Sequence, residues 1–420
     1  MAEGTQQRAR DETLDIASAT ASTSALVAIR LACQALVLVL SVRVLGAEGF
    51  GIIATAVAVS LLLGPWSGAG IDFLALRATA RAPERSAEYF SRGLRSIAVT
   101  TAFLVPLALV IAPLAFGDKV PLTVLASIVA AELLFLRTSE LVAKILQGND
   151  RPQQMAYVRL MNSVIRLIVL VIGVATLAEF AAFHWALLYL LAAFLSAAFA
   201  IAVLRHRIDF VASSGSSRGE WGDGAHFAAG VTSARVSNEL DKALVLSITG
   251  AASAGIYSAG YRLISFAAAP VITFVNVVVG SLYRQHDPSA RSTLVTRSLV
   301  LCSVAALYGL MIGAALWLLL PWVTRVILGP DFLMLQDAAL VFGLLPVAVS
   351  CRIVCEQAIA ALNRFRIRST LQWSAAALAV AGNLYWLPIE GWIAAAWVLL
   401  AVETFLALAY LITIASSRSQ

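Results

Sequence analysis

Residues 20–74 read TASTSALVAIRLACQALVLVLSVRVLGAEGFGIIATAVAVSLLLGPWSGAGIDFL. Two apolar runs, 20–43 and 50–74, flank the turn that begins at Val44. Each is about as long as a helix must be to cross a hydrocarbon core of roughly 30 Å. Working outward, the same unit recurs, and further helices are expected at 95–116, 121–146, 157–178, 182–204, 227–249, 255–282, 296–320, 334–361, 370–388 and 393–415. Short polar loops separate them. That is how a helical membrane bundle reads, because backbone groups in lipid must be satisfied within each helix. The expected fold is an all-α polytopic membrane protein of about twelve transmembrane helices.

Composition agrees. Of 420 residues, 60% are hydrophobic and 13% charged, and the mean hydropathy is +0.87. A soluble domain would be about a quarter charged. The longest polar stretch, 205–226, is too short to fold alone. A pI near 9.3 raises nucleic acid as a partner, but the cations form no patch. Even-numbered connections carry Arg77, Arg81, Arg85, Arg92 and Arg95, then Arg151 and Arg159, Arg205, Arg207 and Arg218, Arg284, Arg291 and Arg297, and Arg364, Arg366 and Arg368. Odd-numbered ones carry Arg43, Lys119 and Arg325. The alternation is a topology signal that places both termini in the cytoplasm, with Arg8, Arg10 and Arg418 on the tails. The N-terminus is polar and mixed in charge through Asp15, so no cleaved signal peptide is expected.

The Ser/Gly-rich stretch Ser213–Gly224 reads as a linker between two halves. The expected organisation is a tail at 1–19, six-helix bundles at 20–206 and 227–415 joined by a cytoplasmic linker at 207–226, and a tail at 416–420. The halves carry a weak internal repeat. VLGAEGFGIIATA from Val44 aligns with ITGAASAGIYSAG from Ile248, superposing Gly46 on Gly250, Ala47 on Ala251 and Gly51 on Gly255. Glu140 with Leu146 likewise matches the spacing of Glu356 with Leu362. Parallel repeats of this kind enclose a binding site at their interface.

Ionisable residues at membrane depth are costly and so mark candidate sites. Arg30 lies mid-helix between SALVAI and LACQALVLVL, too deep to snorkel easily. In SARVSNELDKALVLS, from Ser233, Arg235, Glu239 and Lys242 share one helical face with Asn238, and Asp241 lies toward its edge. Arg262 sits about two turns into the next helix. Arg30, Arg235, Asn238, Lys242 and Arg262 are the candidate substrate-binding set, because a desolvated cationic cavity attracts phosphate and arginine adds paired hydrogen bonds to its oxygens. The other reading of the same residues is a helix–helix clamp, with Arg235 and Glu239 paired at i,i+4. Glu132, Arg137 and Glu140, with Arg352 and Glu356 as counterparts, are either structural ion pairs or, together with Glu239 and Asp241, coupling or gating groups. Asp72 reads as an interface residue or gate partner. Arg166 and Glu403 read as isolated.

Catalysis has no visible platform. His184, His206, His226 and His286 do not cluster with carboxylates at ligand spacing, and Cys33, Cys302, Cys351 and Cys355 lie in apolar segments as packing residues. No phosphate-binding G-x-x-x-x-G-K-[ST] loop occurs. No catalytic residue, metal or cofactor is expected, and nucleic acid is excluded as a partner.

The segment RLACQALVLVLSVRVLGAEGFGIIATAVAVSLLLGPWSGAGIDFLALRATAR, 30–81, resembles the opening helices of bacterial polysaccharide flippases, whose R-x-L-G-x-x-x-[FY]-G turn is followed by G-[IL]-x-x-x-x-x-R. Arg43, Leu45, Gly46, Phe50, Gly51, Gly70, Ile71 and Arg77 fill that pattern. ELDKALVLSITGAASAGIYSAGYRL, 239–263, is similar to the family's second-half turn, with Gly260 in place of its alanine. LLLPWVTRVILGPDF, AALNRFRIRS and IEGWIAAAWV extend the likeness over nearly the whole chain. The resemblance is to the exporter branch of the multidrug/oligosaccharidyl-lipid/polysaccharide exporter superfamily. It implies a V-shaped pair of bundles with alternating access, in the bacterial inner membrane. The implied cargo is a polyprenyl-diphosphate-linked oligosaccharide moved to the periplasmic leaflet, with membrane lipids, a polysaccharide polymerase and other envelope-assembly proteins as partners. Arg30, Arg235, Lys242 and Arg262 would then bind the diphosphate or acidic sugars. Two other readings stay open: an ion-coupled drug or metabolite antiporter of the same fold, and a non-transporting protein of envelope assembly.

Overall fold

The computed structural model describes residues 2–177, 179–206, 220–283, 291–362 and 364–416, with side chains except at 2–23, 220–221, 234, 237, 276–283, 291–294 and 365. Most of the expected linker, 207–219 with Arg207 and Arg218, lies outside the described residues, as do Arg284, His286 and Arg418. All described elements are helical. In chain order they are α1 (Ala2–Leu63), α2 (Ile71–Arg81), α3 (Ser86–Phe116), α4 (Leu122–Ala130), α5 (Arg137–Gly148), α6 (Pro152–Thr176), α7 (Ala182–Arg205), α8 (Glu220–Thr249), α9 (Ala251–Tyr283), α10 (Arg291–Trp322), α11 (Ala339–Ala361), α12 (Phe365–Glu390) and α13 (Trp392–Ser416).

Nine helical stretches among the described residues are long and apolar enough to cross a membrane, the first being Ser24–Trp66 with 43 residues. At 1.5 Å per residue that is roughly 65 Å, twice a hydrocarbon core. Gly46, at φ 64° and ψ −174°, breaks it into two arms. α8 and α12 are as long, at 30 and 26 residues, but carry charges. Together these make the twelve crossings read from the sequence. Helix α1 also reaches back to Ala2, through the stretch read as a tail. Its Ala, Glu, Gln and Arg residues are good helix formers.

Two compact units form: 1–40, 63–111 and 122–229 make the first, and 41–62, 112–121 and 230–420 the second. In the first unit the expected helix 50–74 does not run through. It stops at Leu63, passes a 3-10 turn at Gly64–Trp66, and restarts at Ile71. Pro65 has no N–H to donate, and Gly68, Ala69 and Gly70 all take positive φ (79°, 48° and 76°). Irregular backbone at this depth survives only when protein satisfies it. Thr100 Oγ1 accepts from Gly68 N at 2.7 Å, Ser96 Oγ donates to the Gly68 carbonyl at 3.1 Å, and Ser67 Oγ donates to the Leu133 carbonyl at 2.6 Å. A second irregularity faces it: residues Ala131–Leu136, between α4 and α5, form a π-helix. Such bulges recur at functional sites. Leu141, Ile145 and Leu146 of α5 pack with Ile71, Tyr89 and Ile97 into the core beside them.

In the second unit α9 starts after Gly250, which has φ 98°. The later arm of α1 likewise starts after Gly46, so the aligned glycines do the same work. The two arms meet at the next aligned pair. A Cβ on Gly51 would lie 1.9 Å from the Ala251 carbonyl oxygen, and one on Gly255 would lie 1.9 Å from that of Ala47. The two contacts are reciprocal. Two cations in this unit cap helix C-termini, where carbonyls lack partners. Arg43 Nε donates to the Ile327 carbonyl at 2.8 Å and its guanidinium also reaches Val326, while Lys119 Nζ donates to the Ser247 carbonyl. Below, Cys302 and Cys355 pack with Val295, Ala358, Ile359 and Tyr410. All four cysteines are free thiols.

Candidate functional site

In the first unit, four cations and two carboxylates gather where α1, α2 and α6 supply one each and α5 supplies three. Arg137 opens α5 directly after the π-helix. From there its Nη2 reaches Asp72 Oδ2 at 2.7 Å, and its Nε donates to the Ser67 carbonyl at 3.2 Å. Asp72 stands in the first turn of α2 because the chain breaks just before it, and it is buried, with Oδ1 unpartnered among the described residues. One turn on from Arg137, Glu140 takes both arms of the Arg159 guanidinium from α6, Nε at 3.2 Å and Nη2 closer. Arg30 of α1 lies within the field of Arg159 and Glu140, and Lys144 within that of Glu140, Arg159, Asp72 and Arg137. The Nε of Arg30 is buried with no hydrogen-bond partner among the described residues. The group keeps a surplus of positive charge in a place where water is scarce, and one of its guanidiniums still has a donor to give.

Glu132 sits apart from this cluster, in the π-helix. The Tyr189 hydroxyl donates to it, and Tyr189 is stacked on Trp185 at 4.9 Å. Arg166, isolated in the sequence, lies 4.3 Å from the centre of the Tyr189 ring. Its cation is held by an aromatic face rather than by an acid.

The second unit holds a longer chain of charges in which the two signs balance. Arg235 is 3.8 Å from Glu239 along α8, the pairing its i,i+4 spacing suggests. Lys242 Nζ lies 3.2 Å from Glu239 and 3.4 Å from Asp241, donates to the Asn238 carbonyl, and sits 3.7 Å from the Tyr261 ring centre. Asp241 also accepts from the Tyr257 hydroxyl. It is buried. On α11, Arg352 meets Glu356 at 2.8 Å and also binds Glu403 of α13. Glu403 is therefore not isolated. Glu356 in turn takes Arg368 of α12 at 2.5 Å and Gln372 at 3.0 Å.

Of the five residues expected to bind substrate, Arg30 belongs to the first unit and Arg235, Asn238, Lys242 and Arg262 to the second. Lys242 is neutralised by its own helix, while Arg235 and Arg262 are exposed. Arg159 and Arg368 were counted as loop cations, yet both reach into ion pairs at membrane depth. The signal that could have found them is the repeat: aligned Glu140 and Glu356 each take an arginine from the helix that follows. A carboxylate at that depth demands such a partner.

Residues 17–280 match a family model described as "Polysaccharide biosynthesis protein". No curated relative matches the sequence. Among solved structures, a multidrug resistance MATE family transporter of the MOP superfamily in an inward-facing conformation aligns with a TM-score of 0.77 at 13% identity, covering 93% of this chain and 99% of that one. An outward-facing MATE family transporter gives 0.68 at 14%, covering 96% of each. A MOP superfamily transporter from Pyrococcus furiosus, described by a reverse polarity of its binding pocket, gives 0.65 at 13%, covering 96% and 95%. At these identities the likeness fixes the fold.

Proposed function

Since the chain belongs to the polysaccharide biosynthesis protein family, we propose that it is a flippase carrying a polyprenyl-diphosphate-linked oligosaccharide from the cytoplasmic to the periplasmic leaflet by alternating access. The observation that carries this reading is the surplus of cations around Arg30 in the first unit. A diphosphate is the part of such a cargo that cannot cross lipid unaided, and charge at the bilayer centre is tolerated only with a partner. Arg30 and Arg159 hold the diphosphate oxygens through charge-assisted hydrogen bonds. Glu140 and the Asp72–Arg137 pair fix those guanidiniums in place and keep the empty site from being purely cationic. On the second unit Lys242, which donates to the Asn238 carbonyl, stiffens α8, and Arg235 and Arg262 are exposed. The protein sits in the inner membrane with both termini cytoplasmic, and the polyprenyl tail stays in lipid. Coupling to an ion gradient falls to Glu132, which has a tyrosine rather than a cation as its described partner.

A cationic drug would instead seek a carboxylate without a cation; Glu239, Asp241, Glu356 and Glu403 each have one, and Glu132 is the carboxylate such a drug would use. Proteoliposomes loaded with labelled lipid-linked oligosaccharide or with a cationic dye separate the two readings. The proposal expects the first to be translocated and the second not, with Arg30→Ala and the paired change Glu140→Gln/Arg159→Ala, which leaves no stranded carboxylate, abolishing translocation while inserting normally. Dye efflux without oligosaccharide movement would replace it with the antiporter, and normal translocation by both variants would remove the site.

A further inference from the structure

Each carboxylate of the first-unit cluster already has an arginine. Asp72 takes Arg137 at 2.7 Å, and Glu140 takes both arms of Arg159. Of the four cations, that leaves Arg30 and Lys144 as the source of the positive surplus. Lys144 stands one turn beyond Glu140, so Arg137, Glu140 and Lys144 share a face of α5 at i, i+3 and i+7. A glutamate four residues before a lysine commonly pairs with it. Here the glutamate is occupied by Arg159, and Lys144 Nζ instead donates to Gln147 Oε1 at 3.2 Å. A neutral amide takes up one of the three ammonium donors and none of its charge. The Glu140–Arg159 pair lies in the field of both leftover cations, so Arg30 and Lys144 stand beside the same ion pair. Lys144 is only half-buried.

We infer that Lys144 is a specificity residue of the transport site, which makes it select a diphosphate over a monophosphate lipid. The inference rests on the flippase reading of that site. A diphosphate joined to a polyprenyl chain and a sugar carries one negative charge on each phosphorus, whereas the corresponding monophosphate carries a single charge. The two leftover cations match the first. The second would leave one of them unanswered at a depth where unpaired charge is costly. Arg159 adds hydrogen bonds to the phosphate oxygens, but Glu140 already balances its charge. An ammonium suits the remaining task, being a compact point charge whose three donors turn freely and need no fixed fork.

The test uses the full chain in detergent and two probes, undecaprenyl diphosphate glucose and undecaprenyl phosphate glucose, which share chain and sugar. Native mass spectrometry reads which lipid is retained when both are offered together. The wild type should favour the diphosphate by roughly tenfold or more, as expected of one hydrogen bond to a charged group. Lys144→Gln should bring the two close to parity by weakening the diphosphate and sparing the monophosphate, with an unchanged unfolding midpoint. Lys144→Arg should keep the preference, and so should Arg325→Gln, which removes an exposed cation of the second unit. Lys144→Gln with the wild-type preference would remove Lys144 from the site and leave the flippase reading standing. A wild type that retains both lipids alike would do the same. An equal fall for both lipids in Lys144→Gln, or the same loss in Arg325→Gln, would also overturn the inference, reducing it to fold support or overall charge. A wild type that retains neither lipid would overturn the flippase reading with it.

Discussion

Gly51 and Gly255 cross with their backbones touching, each occupying the space where the other's helix would clash with a Cβ. The two positions are equivalent in the internal repeat, so one requirement for smallness is met twice. Helices in lipid have little hydrophobic drive to associate and gain from close backbone approach instead. Gly51→Ala or Gly255→Ala should therefore destabilise the protein by about 3 kcal/mol, the upper range for overpacking. Gly230→Ala on α8, with nothing within 4 Å of the new Cβ, should be neutral or gain up to about 1 kcal/mol. Thermal unfolding of the purified protein followed by size-exclusion fluorescence distinguishes them. Equal midpoints for Gly51→Ala and Gly230→Ala would mean the crossing is looser than drawn.

Asp72 and Arg137 hold the break in the second crossing to the start of α5. Removing one partner strands a buried charge at about 3–5 kcal/mol, whereas removing both restores much of the loss. Arg137→Met should therefore give poor yields that Asp72→Leu/Arg137→Met partly recovers. Additive losses in the double variant, read as yield and unfolding midpoint, would show that the two residues stabilise the fold independently.

Lys242 and Arg30 separate framework from site. Lys242→Met leaves Glu239 and Asp241 without their shared cation, a loss of about 3–5 kcal/mol, and export should fall only in step with the amount of folded protein. Arg30→Ala removes a guanidinium whose Nε has no described partner, so folded protein should be normal and export should fail. Surface polysaccharide normalised to membrane-inserted protein is the readout, and a swap of the two behaviours would reverse the assignments.

Orientation is testable at the loops. In a cysteine-free background, Asp118→Cys should react with a membrane-impermeant thiol reagent applied outside intact cells. Glu84→Cys should react only after permeabilisation. The opposite pattern would invert the topology.

Arg43 and Lys119 show where loop reading needed the structure. They were two of the few cations on the odd-numbered side, apparent noise in the charge alternation. Each caps the C-terminal carbonyls of another helix, so its position is dictated by a local electrostatic need rather than by topology. Arg159 and Arg368 mislead in the opposite direction. Near the ends of apolar runs, they count as loop charges until a third dimension brings Glu140 and Glu356 within reach.

The sequence alone determined the membrane class, the number of crossings and the internal repeat, because these follow from hydropathy and spacing along one dimension. Gly46 with Gly250 and Gly51 with Gly255 were already aligned there. What tertiary structure decided is which charges answer which. Arg137 pairs with Asp72 rather than with Glu140 three residues away, and Lys242 is neutralised while Arg30 keeps an unused donor. Pairing depends on distances of a few ångströms between helices far apart in sequence, and one-dimensional spacing carries no such distance. The break at Gly64–Gly70 belongs to the same class. Pro65 and the glycines permit it and local turns close part of it, such as Ala69 N to the Trp66 carbonyl, while Ser96, Thr100 and Arg137, arriving from neighbouring helices, satisfy further backbone groups it exposes.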